Sequence, residues 1–227
     1  MSVTVGIVNY NLARFLPRAI ESAKDAQEII VVDDRSTDDS MKIALGYPNV
    51  KLVLHKENSG SAVQGWNDLI RDASQEWLML LSADDELTPD TIRIIESRGA
   101  EADWVWGDLE IIDAESRPTE TWHYNAFPTS VKDCQAFMRN RLELYPTMVA
   151  AFRVSWLREH GLQGLEWKTT RAYADTITGW EWLKASPRLL YVREVFARYR
   201  KWGGSESNKA DPGPFKMEFA ELLRRGG

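Results

Sequence analysis

Cysteine is almost missing from this sequence. Cys134 stands alone in 227 residues, so no intrachain disulfide can form, and a reducing compartment is permitted. Histidine is scarce too: His55, His123 and His160 are isolated, with none of the spacings that ligate zinc. No apolar run approaches the ~18 residues that a bilayer span requires. The opening, Met1 to Val8, enters a strand pattern without a basic leader, so no signal peptide is expected. Positive charge is in deficit, 28 Lys and Arg against 34 Asp and Glu for a net charge of −6, which argues against a nucleic-acid partner. A Gly-x-x-x-x-Gly-Lys loop for cradling phosphates does not occur either.

What remains is an ordinary globular balance, 44% hydrophobic and 27% charged, in a length that suits one domain with its own core. Ten tryptophans are the one excess. Flat indoles suit sugar rings, but packing is their commoner use. Trp104 and Trp106 alternate on a strand, share a face and read as packing. Cys134 reads as a helix core residue and His160, before Gly161, as a helix C-terminus.

The first half alternates strand and helix patterns. A β-branched run at Val3 to Val8 and short apolar runs at Glu28 to Val32, Val50 to Leu54 and Trp77 to Leu81 read as strands of a parallel sheet. Between them lie a helix with Leu12, Phe15, Leu16, Ala19, Ile20 and Ala23 at three and four spacing, a short helix opened by a Ser36-Thr37-Asp38-Asp39 capping box, and a helix from Ser61 to about Ala73. Thr88-Pro89-Asp90 then caps a helix from Thr91 to Ser97. This order predicts an α/β fold, a doubly wound, mostly parallel sheet flanked by helices. Beyond residue 100 the pattern predicts strands at Asp103 to Ile112, Met148 to Val154 and Arg188 to Arg200, with a turn at Glu115 to Pro118. It predicts helices at Ser130 to Arg141, capped by Ser130 and Asp133, and at Ala172 to Ala185. An amphipathic tail helix carries Phe215, Phe219, Leu222 and Leu223 on one side beside Arg224 and Arg225. Peripheral contact with a membrane fits that pattern, but two charges are few for anchoring, and packing is the better reading.

In an open α/β sheet, ligands gather outside the carboxyl ends of the strands. Asn9-Tyr10, Asp33-Asp34 and Asp84-Asp85 all fall there. Each acidic pair alone reads equally well as a polar turn. Together they favour a site, because clustered carboxylates call for a divalent cation or for donors such as ribose hydroxyls and a base N–H. Mg²⁺ and Mn²⁺ typically take one or two carboxylates and phosphate oxygens.

Three segments carry a resemblance: Thr4-Val5-Gly6-Ile7-Val8-Asn9-Tyr10-Asn11, Glu28-Ile29-Ile30-Val31-Val32-Asp33-Asp34-Arg35-Ser36-Thr37-Asp38-Asp39-Ser40, and Leu80-Leu81-Ser82-Ala83-Asp84-Asp85-Glu86-Leu87. They resemble family 2 glycosyltransferases of the GT-A fold. Trp106 to Asp113 and Tyr199 to Ser207 resemble later segments of the same family. The resemblance implies inverting transfer from a nucleotide-sugar, most often a UDP-sugar, to a saccharide or lipid-linked acceptor, with Mn²⁺ or Mg²⁺. It implies a cytoplasmic place in surface polysaccharide or lipopolysaccharide synthesis, at most peripheral at the inner membrane face. Residues 1–113 would bind the donor, and residues 114–227 would form a smaller acceptor region of the same domain. By position, Val8 and Tyr10 would border the nucleotide, Asp34 would accept from the base with Asp33 in support, Asp84 would meet ribose or metal, and Asp85 would bind the metal. An acid before a Trp-containing helix would be the catalytic base: Asp175 first, Glu181 second. Arg200, Trp202 and Ser205 would belong to a donor lid.

Three positions depart from the family pattern. Arg35 stands where Gly is common, Ser82 where an acid is common, and Trp202, which cannot ligate a metal, where His is common. The last two keep a second function in view, a nucleotide- or sugar-binding module that has lost transfer. A receiver-like phospho-acceptor, suggested by Asp33-Asp34, would be about half as long and leaves Asp84-Asp85 unexplained.

Overall fold

In the computed structural model, residues 1–124, 127–141, 149–161, 174–205 and 212–225 are described. The first half follows the expected rhythm: β1 (Val3–Asn9), α1 (Leu16–Ser22), β2 (Glu28–Asp33), α2 (Ser40–Leu45), β3 (Val50–Leu54), α3 (Ala62–Asp72) and β4 (Trp77–Ser82). A two-residue strand, β5 (Glu86–Leu87), and α4 (Thr91–Arg98) follow. The second half holds β6 (Trp104–Ile112), β7 (Pro118–Trp122), α5 (Val131–Arg141), β8 (Ala151–Arg153), α6 (Val154–Glu159), α7 (Ala174–Lys184), β9 (Leu189–Arg200) and α8 (Pro212–Arg225).

One sheet runs through both halves in the order β3-β2-β1-β4-β8-β6-β9-β5, with β7 paired to β6. The block β3-β2-β1-β4 is parallel throughout, so its carboxyl ends form one rim. β8 then enters antiparallel between β4 and β6, and β9 lies parallel to β6. The period of two sorts the strands onto two cores. Val3, Val5, Ile7, Ile29, Val31, Met79 and Leu81 face α1, α2 and α4 on one side. Ile30, Val32, Leu78, Leu80, Trp104 and Trp106 face α3 and the second-half helices on the other. Each such aliphatic side chain contributes ~1.5–3 kcal/mol when fully buried.

α3 starts at Ser61, whose side chain accepts from Val63 N, and lies hard against β1. A methyl added at Gly65 would come 2.8 Å from Val8 Cγ1, so only glycine allows that approach. Seven of the tryptophans, Trp66, Trp77, Trp104, Trp106, Trp156, Trp180 and Trp182, are buried, which is the packing use. Trp167 lies outside the described residues. Phe219 of α8 is fully buried and meets Trp180 edge-on at 5.9 Å, so the tail packs onto the second core. Among the described residues no helix is long and apolar enough to cross a membrane.

Two local expectations need correction, and one strand, after the expected turn at Glu115 to Pro118, is not anticipated. The Ser36 capping box does not form: α2 begins at Ser40, Asp39 makes no side-chain cap, and Ser36 Oγ instead accepts from Asn9 Nδ2 and Asn11 N. The segment read as a turn leads into an exposed strand, β7. The strand expected through Val154 ends at Arg153, where α6 begins with Val154, Trp156 and Leu157 buried. Arg158 of α6 donates to the carbonyls of Ile70, Arg71 and Ala73, capping the C-terminus of α3.

Candidate active site

The carboxyl ends of β1, β2 and β4 meet. Asp34 N donates to Asn9 O at 2.9 Å and Ala83 N to Val8 O at 3.0 Å, so the end of β1 joins both acidic turns. Val8 serves through that carbonyl, with its side chain over Gly65. Tyr10 is exposed just beyond, a ring free to face a ligand.

In the first turn Asp33 points inward and accepts from Asn9 Nδ2 at 2.7 Å and Ser36 N at 2.8 Å. Asp34 accepts five donors on its two oxygens: His55 Nδ1, Asn58 Nδ2, Ser59 N, Ser59 Oγ and Gly60 N. A carboxylate offers about four lone-pair sites, so Asp34 is full. Arg35 has φ +64°, the left-handed region in which an L side chain is strained, and this explains why glycine suits the position. Asn11, also left-handed at φ +53°, accepts from Thr37 N and ties the two loops together.

In the second turn the half-buried Asp84 accepts from Ser82 Oγ at 2.6 Å and Trp202 Nε1 at 3.0 Å, leaving about two lone-pair sites. Asp85 is 3% exposed and accepts from Arg200 N. Desolvation, with the Asp84 charge beside it, pushes its carboxyl well above the usual range. Asp85 therefore faces the core, and Asp84 is the acid that borders the rim.

Arg200, expected in a donor lid, is instead buried beneath the second turn. It is 1% exposed and donates to the carbonyls of Asp84 and Asp113, to Ser116 Oγ and to Glu86, with its guanidinium 4.7 Å from the Phe15 ring centroid. Its backbone and side chain hold the second turn from behind. Trp202 stays at the rim, edge-on to Phe15 at 4.9 Å. Ser205 is buried, and its N–H donates to Trp202 O. Residues 206–211, which follow it, lie outside the described residues.

Asp175 sits in the first turn of α7, where burial pushes its carboxyl up to about 7 against the opposing pull of the backbone N–H groups of Thr176 and Asp175. It lies close enough to Tyr124 for its charge, after burial and the Tyr199 charge, to help raise the Tyr124 phenol. Asp108 is near the same phenol and accepts from Tyr191 Oη, His123 Nδ1 and Tyr124 N. Burial opposes ionisation of Asp108, but those donors outweigh it and lower its pKa. Glu181, the second choice, is paired with Lys184 at 2.8 Å. A carboxylate titrating near 7 has the balance a general base requires at neutral pH.

Sequence reasoning missed His55, whose ring bridges Asp34 and Asp68, and the Asp108 cluster. The register supplies the missing signal: β3 lies parallel to β2 with Leu54 opposite Asp33, so the next residue of each strand falls at the same rim.

A divalent cation fits these residues only in part. No group of three or more His, Cys, Asp or Glu that could hold one occurs among the described residues. The spare oxygen lone pairs of Asp84 suit a Mg²⁺-type ion whose other ligands are phosphate oxygens and water.

The sequence profile described as glycosyl transferase family 2 matches residues 4–161. The chain belongs to that family. Among its curated relatives are the succinoglycan biosynthesis protein ExoO of Rhizobium meliloti, 32% identical over 123 residues (51% of this chain, 35% of the relative), and the glycosyltransferase GlyG of Streptococcus pneumoniae, 32% identical over 108 residues (44% and 36%). The chain thus spans little more than a third of either relative. Among solved structures, S. aureus TarS 1–349 in complex with UDP-GlcNAc superimposes with a TM-score of 0.70 at 17% identity, covering 98% of this chain and 65% of that one. At that identity the likeness concerns the fold: the sheet is that of GT-A glycosyltransferases.

Proposed function

We propose that this family 2 member moves a sugar from a UDP-sugar to a saccharide or lipid-linked acceptor by single displacement with inversion. The observation that carries the proposal is the meeting of three strand ends at one rim, where Asp84 keeps oxygen lone pairs for a ligand. The UDP and UDP-GlcNAc complexes of TarS support a uridine nucleotide as donor. Tyr10 would flank the base, and Asp34 would act mainly through the Asn58–Ser61 loop it organises, since its own oxygens are filled. Asp84 would hold the cation together with the diphosphate, while Asp85 and Arg200 keep the turn in shape. Mn²⁺ or Mg²⁺, when bound, supplies compensation for charge on the leaving diphosphate.

Asp175 takes the acceptor hydroxyl proton. The acceptor oxygen forms its bond to the sugar C1 from the face opposite the diphosphate, the C1–O bond to phosphate breaks, and the nucleoside diphosphate departs with that electron pair. The first half supplies the donor side and the second half the acceptor side. The name of the succinoglycan relative supports a place in surface polysaccharide synthesis, on the cytoplasmic side with at most peripheral membrane contact.

The test is release of free nucleotide from UDP-, GDP-, CDP- and dTDP-sugars with Mn²⁺ and varied acceptors. Asp175→Asn should lower the rate by ~10²–10⁴ while UDP still binds. The native rate should rise with pH through about 7, because the base must be deprotonated. Binding without release in every pairing would instead favour the transfer-incompetent module that Ser82 and Trp202 suggest.

A further inference from the structure

His55 follows β3, and its N–H donates to Asp33 O at 3.0 Å. Its ring is held at both ends, with Nδ1 2.6 Å from Asp34 Oδ1 and Nε2 2.6 Å from Asp68 Oδ2. A neutral imidazole has one N–H and one lone pair. Between two carboxylates it would set a nitrogen lone pair against an oxygen at hydrogen-bond distance, a repulsive contact. An imidazolium donates at both ends, and both bonds are charge-assisted. All three side chains are largely shielded, at 14% exposure for His55, 15% for Asp34 and 16% for Asp68. The charged groups that meet the ring are Asp34 from the β2 turn and Asp68 from α3, with Arg71 of α3 bonded to the other oxygen of Asp68. The chain of contacts runs from α3 through Asp68, His55 and Asp34 to Asn58, Ser59 and Gly60.

We infer that His55, as the imidazolium, is a positioning residue for the donor nucleotide: it clamps Asp34 to α3 and so sets the Asn58–Ser61 loop against which the base docks. The inference rests on the assignment of that loop to the nucleotide. Burial alone would disfavour the charged ring, but the two acids outweigh it and raise the His55 pKa. With the folded value above the unfolded one, the clamp is complete below about 6.5 and is lost as pH rises through the folded value. UDP affinity should therefore fall toward alkaline pH, opposite in direction to turnover through Asp175.

The test pairs two measurements on the full chain from about pH 6 to about pH 9. Proton NMR follows the three histidine Cε1–H signals, with His55→Gln identifying the one that belongs to His55. Calorimetry follows UDP affinity across the same range. The expected result is a His55 signal titrating above about 6.5, and a several-fold fall in UDP affinity with the same midpoint. In Asp68→Asn, which retains His55, both midpoints should move down together. A His55 that titrates at or below the ordinary value overturns the inference. So does a UDP profile that Asp68→Asn leaves in place. Failure of UDP to bind at any pH overturns the nucleotide assignment and the inference with it, and is distinct from UDP that binds without responding to the clamp.

Discussion

The two acidic turns have the same Asp-Asp sequence, close strands that flank β1 on either side, and use their carboxylates differently. After β2, Asp33 points inward and Asp34 is filled by five donors from the loop beyond β3. After β4, Asp85 points inward onto Arg200, and Asp84 holds only two donors. The first turn is thus wired into the scaffold, whereas the second keeps coordination capacity at the rim. What a carboxylate can offer a ligand is decided by what already occupies it, which its place in a motif does not reveal.

The largest expected effect comes from removing what backs the second turn. Arg200→Ala keeps the backbone N–H that Asp85 accepts from but leaves Glu86, Ser116 Oγ and the carbonyls of Asp84 and Asp113 without the buried guanidinium, and should cost ~3–5 kcal/mol in urea unfolding. A loss under about 1 kcal/mol would mean the hub is dispensable. Next, the two outward acids should separate in stability. Asp34→Asn places an amide against its donors and should cost ~1.5–3 kcal/mol. Asp84→Asn should stay within about 0.5 kcal/mol. Equal losses would erase the distinction between the turns. The smallest effect is at Arg35: Arg35→Gly relieves the left-handed strain and should gain up to about 1 kcal/mol, less the extra freedom of glycine in the unfolded chain.

These contrasts also mark where the sequence stops being readable. β1, β2, β3 and β4 are legible to within a residue because each is a short, largely apolar run bounded by polar turns. The location of both acidic turns at strand ends is legible for the same reason. His55 is not, because its partners depend on the register of β3 against β2 and on how closely Gly65 lets α3 approach. The burial of Arg200 is not legible either, since it is decided by Glu86, Asp113 and Phe15, all far away in the chain. The inward aim of Asp85 has the same cause. Arg35 is visible in the sequence only as a departure from a pattern; its φ supplies the physical reason.

The most direct test is calorimetric titration of UDP with and without Mn²⁺, on the native chain, Asp84→Asn and Asp34→Asn. The account predicts that Mn²⁺ tightens UDP binding in the native chain, that Asp84→Asn abolishes the response, and that Asp34→Asn weakens UDP binding while Mn²⁺ still tightens it. A Mn²⁺ response that persists unchanged in Asp84→Asn would contradict it.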